Sequence, residues 1–376
     1  MKCVATRRAA GRSGFTLVEI LVVLVIIAIL IGLMFVGIQG ALETARSRSC
    51  SNNLRQIGFA LQSYNAKNNH YPAGWQSAGP ADDGTIHGWS AQALLLPHLE
   101  QQVISDLIDF NLGYKKVAEQ NVTTADGVST PLTSLRVPTF LCPSEVRDEQ
   151  RGVDYPLNYG YNAGVWLVYD PATGEGGLGS FSRDSRHDSG SFPDGASTTL
   201  AFAEVKAFQT YYRNAGLAAG AANIDTLPSI QDISAAADPA DLRLLMGDGD
   251  ATAEPPGDLK TSGHTEWVDG RVHQTGFTTA FAPNARTIPA VGAAGTAGTS
   301  VDWTNWQEGK IDTDTDPTND PPTYAAVTAR SYHGGGVNAL MMGGAVTWVR
   351  DDINIGVWRA FSTRAGGELI PKDEQF

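Results

Sequence analysis

Hydrophobic and polar positions divide the chain into two regimes. From Phe15 to Ile38 the sequence is almost wholly apolar, broken only by Thr16, Glu19 and small glycines. No charge lies between Glu19 and Glu43, so Ile20–Leu42 gives 23 uncharged residues. As a helix this run is about 35 Å long at 1.5 Å per residue, enough to cross a bilayer core of about 30 Å. Leu, Ile and Val fall on every side of that helix, so the one-sided stripe of a soluble amphipathic helix is absent. Beyond Gly40 the sequence turns polar but stays helix-compatible. Leu54, Ile57, Leu61 and Tyr64, spaced three and four apart, form one apolar stripe. Asn68-Asn69, followed by Pro72 and Gly74, supplies the stop signal.

Past residue 70 the pattern changes to short runs cut by Gly, Pro, Asn and Asp. One more helix is expected over Ser90–Ile108, and strands over Thr199–Val205, Arg271–Phe281 and Val337–Arg350. In the last run, His333-Gly334-Gly335-Gly336 turns into a strand and Gly343-Gly344 turns the chain back, a terminal hairpin. The segments 215–222, 235–245 and 290–298 are Ala/Gly-rich and read as short helix or loop. No repeat of fixed period is present. The expected fold is α+β: a long N-terminal helix, transmembrane and then amphipathic stem, packed on an antiparallel-sheet head. The expected divisions are a basic leader (1–14), a transmembrane helix (15–38), a stem (39–66) and a head (67–376).

Composition sharpens this picture. The hydrophobic fraction of 42% rules out whole-chain disorder, and 41 glycines without a three-residue period rule out collagen. The net charge of −13 hides a split. Residues 1–67 carry eight Lys/Arg and two acids, a net of +6; the remainder carries −19. An acidic head argues against nucleic-acid binding and fits a soluble exported domain. Lys2, Arg7, Arg8 and Arg12 precede the apolar run, which sets the N-terminus in the cytoplasm and the head outside the inner membrane. A cleaved secretory signal is a poor fit, because the apolar run is too long and no A-x-A site closes it. Glu19 is anomalous, a carboxylate inside the apolar segment that needs a cationic partner.

Gly14-Phe15-Thr16-Leu17-Val18-Glu19 resembles the prepilin motif of type IV pilins and type II secretion pseudopilins. The resemblance implies that a prepilin peptidase cuts between Gly14 and Phe15 and methylates Phe15. It also implies that Glu19 pairs with the N-terminal ammonium of a neighbouring subunit during assembly. The partners implied are the peptidase, other pilin or pseudopilin subunits and the membrane. The head resembles a large bacterial family of pilin-like proteins of unknown function. The residues that carry this are Cys50–Gly58, Trp89, Leu96–Gln101, Phe140–Ser144, Asp194–Thr199 and His264–Asn284. That family has a C-terminal His, nine residues, then Asp-Gly; here His333 is followed by nine residues and Gly343-Gly344. A role resting on that Asp is therefore in question. The family implies an architecture and no known activity.

Other candidate chemistry is sparse. Cys3 lies in the leader, leaving Cys50 and Cys142 in an oxidising compartment, where an even count suggests a bridge across a loop of about 90 residues. Two buried thiols are the alternative. Asp312, Asp314 and Asp316 resemble the start of a calcium loop, but Pro317 stands where Gly is expected and Thr323 where Glu is; a solvated acidic loop is the alternative. His264, Glu266, Asp269 and His273 match no zinc spacing. No G-x-S-x-G turn accompanies His333-Gly334-Gly335-Gly336, and no P-loop is present, so hydrolase and nucleotide-binding readings fall away. Eight tryptophans are spread over the head, as core and contacts or as a sugar platform. The reading is a non-enzymatic subunit of a type II secretion or type IV pilus-like filament, minor or at the tip. The alternatives are an anchored binding module for polysaccharide or cargo, or an anchored exported enzyme.

Overall fold

The structure is a computed structural model, and it describes residues 15–79, 87–114, 121–123, 127, 129–213, 258–286, 288–289, 300–305, 322–368 and 370. The chain divides into two compact units, Met1–Arg46 and Ser47–Phe376.

Helix α1 runs Leu17–Asn68, 52 residues. Its start is fixed by a reciprocal cap. Thr16 N and Oγ1 each donate to Glu19 Oε2 at 2.8 Å, and Glu19 N donates to Thr16 Oγ1 at 3.3 Å. This is the S/T-x-x-E capping box. Its end is fixed by Asn69, which takes the left-handed conformation at φ 61° while its N–H still bonds Asn65 O at 2.8 Å. Leu17–Met34, of mean hydropathy 3.2, is the one span among the described residues long and apolar enough to cross a membrane. In the second unit the helix changes character. Cys50, Leu54, Ile57, Ala60 and Leu61 are fully buried, while Phe59 is exposed.

Short elements follow: β1 (Trp75–Gln76), β2 (Trp89–Ser90), α2 (Ala91–Leu95), α3 (Gln102–Ser105), β3 (Asn121–Thr123) and β4 (Ser129–Pro131). The continuous helix expected over Ser90–Ile108 is thus broken. Pro97 starts a 3-10 turn over Leu96–His98, and Glu100 adopts φ 59°, which no α-helix accommodates. The head is then built from β5 (Tyr159–Asn162), β6 (Leu167–Asp170), β7 (Glu175–Gly176), β8 (Leu200–Glu204), β9 (Gln209–Arg213) and β10 (Asp258–Gly263). They are followed by α4 (Val272–Thr275), β11 (Gly276–Phe277), β12 (Ile288–Pro289), β13 (Ser300–Thr304), β14 (Thr323–Ala326), β15 (Gly336–Met341), β16 (Val346–Arg350) and α5 (Ile355–Ser362). The strand expected over Arg271–Phe281 is instead a helical turn and two strand residues. Asp269 braces that turn, its carboxylate accepting Arg271 N at 3.0 Å and its carbonyl accepting Thr275 Oγ1 at 2.6 Å.

Two sheets carry the head. A five-stranded sheet has the order β11-β5-β8-β15-β16, and a larger one runs β10-β9-β13-β14-β6-β7 with β12 beside β13. Pairing is mostly antiparallel; β11–β5 and β13–β9 are parallel. The five-stranded sheet is buried on both faces. Tyr159, Tyr161, Phe202 and Leu340 pack with the α1 residues Cys50, Leu54, Ile57 and Leu61. Val337, Ala339 and Met341 point the other way, into a cluster with Val357, Trp358 and Phe361 of α5. The larger sheet encloses its own cluster, in which Trp166 and Trp303 stack at 5.4 Å.

The β15–β16 hairpin shows what the Gly-Gly pair does. Gly344 N bonds Met341 O at 2.8 Å, Met341 N bonds Ala345 O at 2.8 Å, and Gly344 sits at φ 89°. This is a tight turn closed by a left-handed bulge residue, which Gly supplies without strain. Gly343 has no such φ; a Cβ there would lie 3.3 Å from Ala196 O and Ser197 Cα. Asp-Gly is therefore turn chemistry, and an Asp is not needed at 343 for the turn to form. Gly344→Ala is expected to cost about 1–2 kcal/mol, and Gly343→Asp about 0.5 kcal/mol or less. Denaturant unfolding of the two variants checks the asymmetry; equal losses would remove the assignment.

Candidate functional site

The stem residue Cys50 and the head residue Cys142 are joined, S–S 2.11 Å and Cα–Cα 5.0 Å, across 92 positions of sequence. Four further side chains converge on this bridge. Asn53 Nδ2 donates to Leu141 O at 2.8 Å, and Cys142 N donates to Asn158 Oδ1 at 3.0 Å, so the segment around Cys142 is held from both sides. Glu204, the last residue of β8, points to the α1 face because Phe202 does, and strand side chains alternate. Its Oε2 accepts Asn338 N at 2.8 Å and its Oε1 accepts Asn338 Nδ2 at 2.9 Å. His333 reaches in from the loop before β15. Its Nε2 lies 3.3 Å from Glu204 Oε1 and 3.6 Å from Cys142 Sγ. Ser331 Oγ accepts the His333 N–H at 2.8 Å and shapes that loop. His333 and Glu204 are almost wholly buried, at 3% and 2% side-chain exposure.

Several sequence stretches meet around this seam. Gly58 on α1 lies against the hairpin turn: a Cβ there would stand 3.0 Å from Leu340 Cδ1 and 3.6 Å from Gly344 Cα. Gln62 Nε2 donates to Met342 O at 2.7 Å. Gly343 N donates to Ala196 O at 2.6 Å, and Met342 N to Thr199 O at 2.8 Å. His98 Nδ1 meets Ser63 Oγ at 2.8 Å. Gly344 thus sits against the stem and Gly343 against Ala196 and Ser197, while His333, ten positions before Gly343, reaches the disulfide.

The other candidates are dispersed. Phe15 and Thr16–Glu19 lie at the exposed start of α1. Gly14 and the leader, and Asp312, Asp314 and Asp316, lie outside the described residues. His264, Glu266, Asp269 and His273 are close in the fold but engaged by protein groups. Asp269 Oδ2 accepts Tyr114 OH at 3.1 Å and Arg271 Nε at 2.7 Å. His264 Nδ1 meets Gln274 O at 3.0 Å, and His273 stacks on Tyr211 at 4.5 Å. Trp89, Trp166, Trp267, Trp303 and Trp358 are fully buried and Trp75 nearly so, which places them in the core; Trp348 is part-exposed. Trp306 lies outside the described residues. Sequence reasoning missed Glu204, which no motif marks, and missed the Thr16–Glu19 cap, which the S/T-x-x-E spacing does mark.

The prokaryotic N-terminal methylation motif matches residues 10–35, which include Gly14, Phe15 and Glu19. The type II secretion system core protein G of Escherichia coli (strain K12) is 39% identical over 66 residues, 18% of this chain. The chain spans less than half of that protein, 46% of its length. No solved structure matches. With the apolar helix and the methylation motif, these findings define a pilin-like protein. The profile described as "Protein of unknown function (DUF1559)" matches residues 39–356, and the chain belongs to that family.

Two expectations follow for the head. Reducing Cys50–Cys142 should lower stability by about 4–5 kcal/mol in the loop-entropy account. Denaturant unfolding with and without reductant reads this, and an unchanged midpoint would refute it. The second concerns pH. Burial pushes His264 down to about 4 and holds His273 well below its ordinary value. Both stay neutral in the native head while the unfolded chain protonates near pH 6.5. Their contribution is full above about pH 6.5 and is lost as pH falls toward 4, on the order of 3 kcal/mol for His264. Glu266 acts oppositely, since burial and the nearby Asp269 raise its carboxyl. Its contribution is present at low pH and lost as pH rises. His264→Gln should therefore flatten the acid side of the stability profile; an unchanged slope between pH 6.5 and 4 would contradict this.

Proposed function

We propose that the chain is a minor or tip subunit of a type II secretion or type IV pilus-like filament, processed by a prepilin peptidase between Gly14 and Phe15. The observation that carries this is the start of α1: Phe15 and a capped Glu19 stand at the head of an apolar span, behind a basic leader. Before processing, that span anchors the chain in the inner membrane with the N-terminus in the cytoplasm. After processing, N-methyl-Phe15 carries the ammonium that Glu19 of a neighbouring subunit accepts. Both local bonds to Glu19 use Oε2, so Oε1 can receive that ammonium. The partial similarity to a protein named as a type II secretion core protein supports the same reading. The bulk of the head favours a sparse or terminal position over dense packing. In this reading the chain catalyses nothing itself, and the cleavage and methylation belong to the peptidase.

Processing is tested by mass spectrometry of the mature N-terminus, where N-methyl-Phe15 is expected and an intact Met1 would sink the proposal. Assembly is tested with two variants that separate cap from charge. Thr16→Ala removes the cap hydroxyl but keeps the carboxylate, at a cost of about 1 kcal/mol in helix stability. Glu19→Ala removes the carboxylate with the two cap bonds it accepts and leaves the Thr16 hydroxyl in place. Membrane insertion should survive in each, with incorporation into the filament lost only in Glu19→Ala. Loss in both would show that Glu19 acts as a cap alone, and normal incorporation of both would refute its role in assembly.

A further inference from the structure

The ligand-bearing atoms of Cys50, Cys142, Glu204 and His333 all lie within 4.8 Å of one another. They come from α1, the loop after Phe140, the end of β8 and the loop before β15, so the fold and not a local motif assembles them. Two sulfurs, an imidazole nitrogen and a carboxylate oxygen form a donor set suited to Zn2+. At ordinary zinc bond lengths, the edges of a tetrahedral site are about 3.8 Å between sulfurs, about 3.5 Å from sulfur to nitrogen and about 3.3 Å from nitrogen to oxygen. The distances here are 3.6 Å from Cys142 Sγ to His333 Nε2 and 3.3 Å from that nitrogen to Glu204 Oε1. Two edges are therefore already in place. The S–S edge departs, at 2.11 Å, because the sulfurs are bonded, and the remaining three edges lie within 4.8 Å. Reduction alone would let that edge open. The surrounding shell also suits a metal: Asn338 orients the Glu204 carboxylate through two bonds, and Asn158 holds the Cys142 backbone.

We propose that the reduced chain binds one Zn2+ through Cys50, Cys142, His333 and Glu204, so that disulfide and zinc are alternative staples between stem and head. The exchange balances. A dithiol reductant delivers two electrons and two protons to the Cys50–Cys142 bond and is itself oxidised to a disulfide. Zn2+ then replaces the two thiol protons, which leave to solvent. With four protein ligands the site is closed, so its role is structural. This also gives His333 and Glu204 a function that the disulfide does not require.

The test uses the full chain in detergent, carrying Cys3→Ser so that only Cys50 and Cys142 report. A water-soluble phosphine, which ends as its oxide, reduces the bridge without competing strongly for metal. Zn2+, or Co2+ as a visible probe, is then titrated anaerobically. One metal per reduced chain is expected, with thiolate-to-cobalt charge transfer, tetrahedral d–d bands and at least tenfold slower alkylation of both thiols. The oxidised chain should bind at least a hundredfold more weakly. His333→Gln, whose folding is verified in the oxidised state, should weaken binding at least tenfold. Where the reduced chain loses its fold, added Zn2+ should restore it. Absence of uptake, unprotected thiols, equal binding by the oxidised chain, unchanged affinity in His333→Gln, or a reduced unfolded chain that zinc fails to refold would each overturn the proposal.

Discussion

The burial of one face of the stem against the five-stranded sheet is the contact on which the head depends. Cys50, Leu54, Ile57 and Leu61 present a continuous apolar stripe, and Tyr159, Phe202 and Leu340 receive it. A sheet without that helix would expose one whole face to water, while its opposite face is already committed to α5. Close approach is possible because Gly58 has no side chain where Leu340 and the β15–β16 turn meet the helix. The disulfide then fixes the upper end of the stripe in register, and Gln62 fixes a point three turns further on.

Three buried carboxylates are each held by protein groups. Glu204 is held by Asn338 and approached by His333. Asp302 pairs with Arg330 at 2.8 Å, and the Arg330 N–H donates to Glu204 O, which ties the larger sheet to the strand that carries the disulfide neighbourhood. Asp269 gathers Tyr114 and Arg271. Removing one member of such a group leaves the other desolvated and unpaired, a larger loss than the bond itself is worth.

Much of this was legible in the amino-acid order, for reasons that differ by element. The membrane-length helix and the stem stripe are periodic signals, and Asn68-Asn69 stops the helix as its left-handed φ explains. The terminal hairpin was marked by its glycines. Ser90–Ile108 was misjudged because its apolar spacing is helical throughout, while Pro97 and the backbone at Glu100 break the helix. Arg271–Phe281 was misjudged because a single buried helical turn is too short to show a period, and the bonds that brace it come from Asp269, two residues upstream. The site was half legible. Two cysteines suggested a bridge and His333 came from a family pattern. Glu204 sits inside an unremarkable strand, and only the pairing of β8 with β15 brings it to His333.

The position of Cys50 has a mechanical meaning. The head unit begins at Ser47, so Cys50 lies within one turn of the residue where α1 enters it. Tension arriving along the chain from the anchor meets a covalent branch before it meets the apolar stripe. The load divides there, passing through sulfur to Cys142 and shunting the stretch 51–141. The non-covalent contacts of that stretch are shielded from a pull that would otherwise peel the helix from the sheet one side chain at a time. A pull on the N-terminal end of the head unit thus loads the sulfur bridge before the buried stripe.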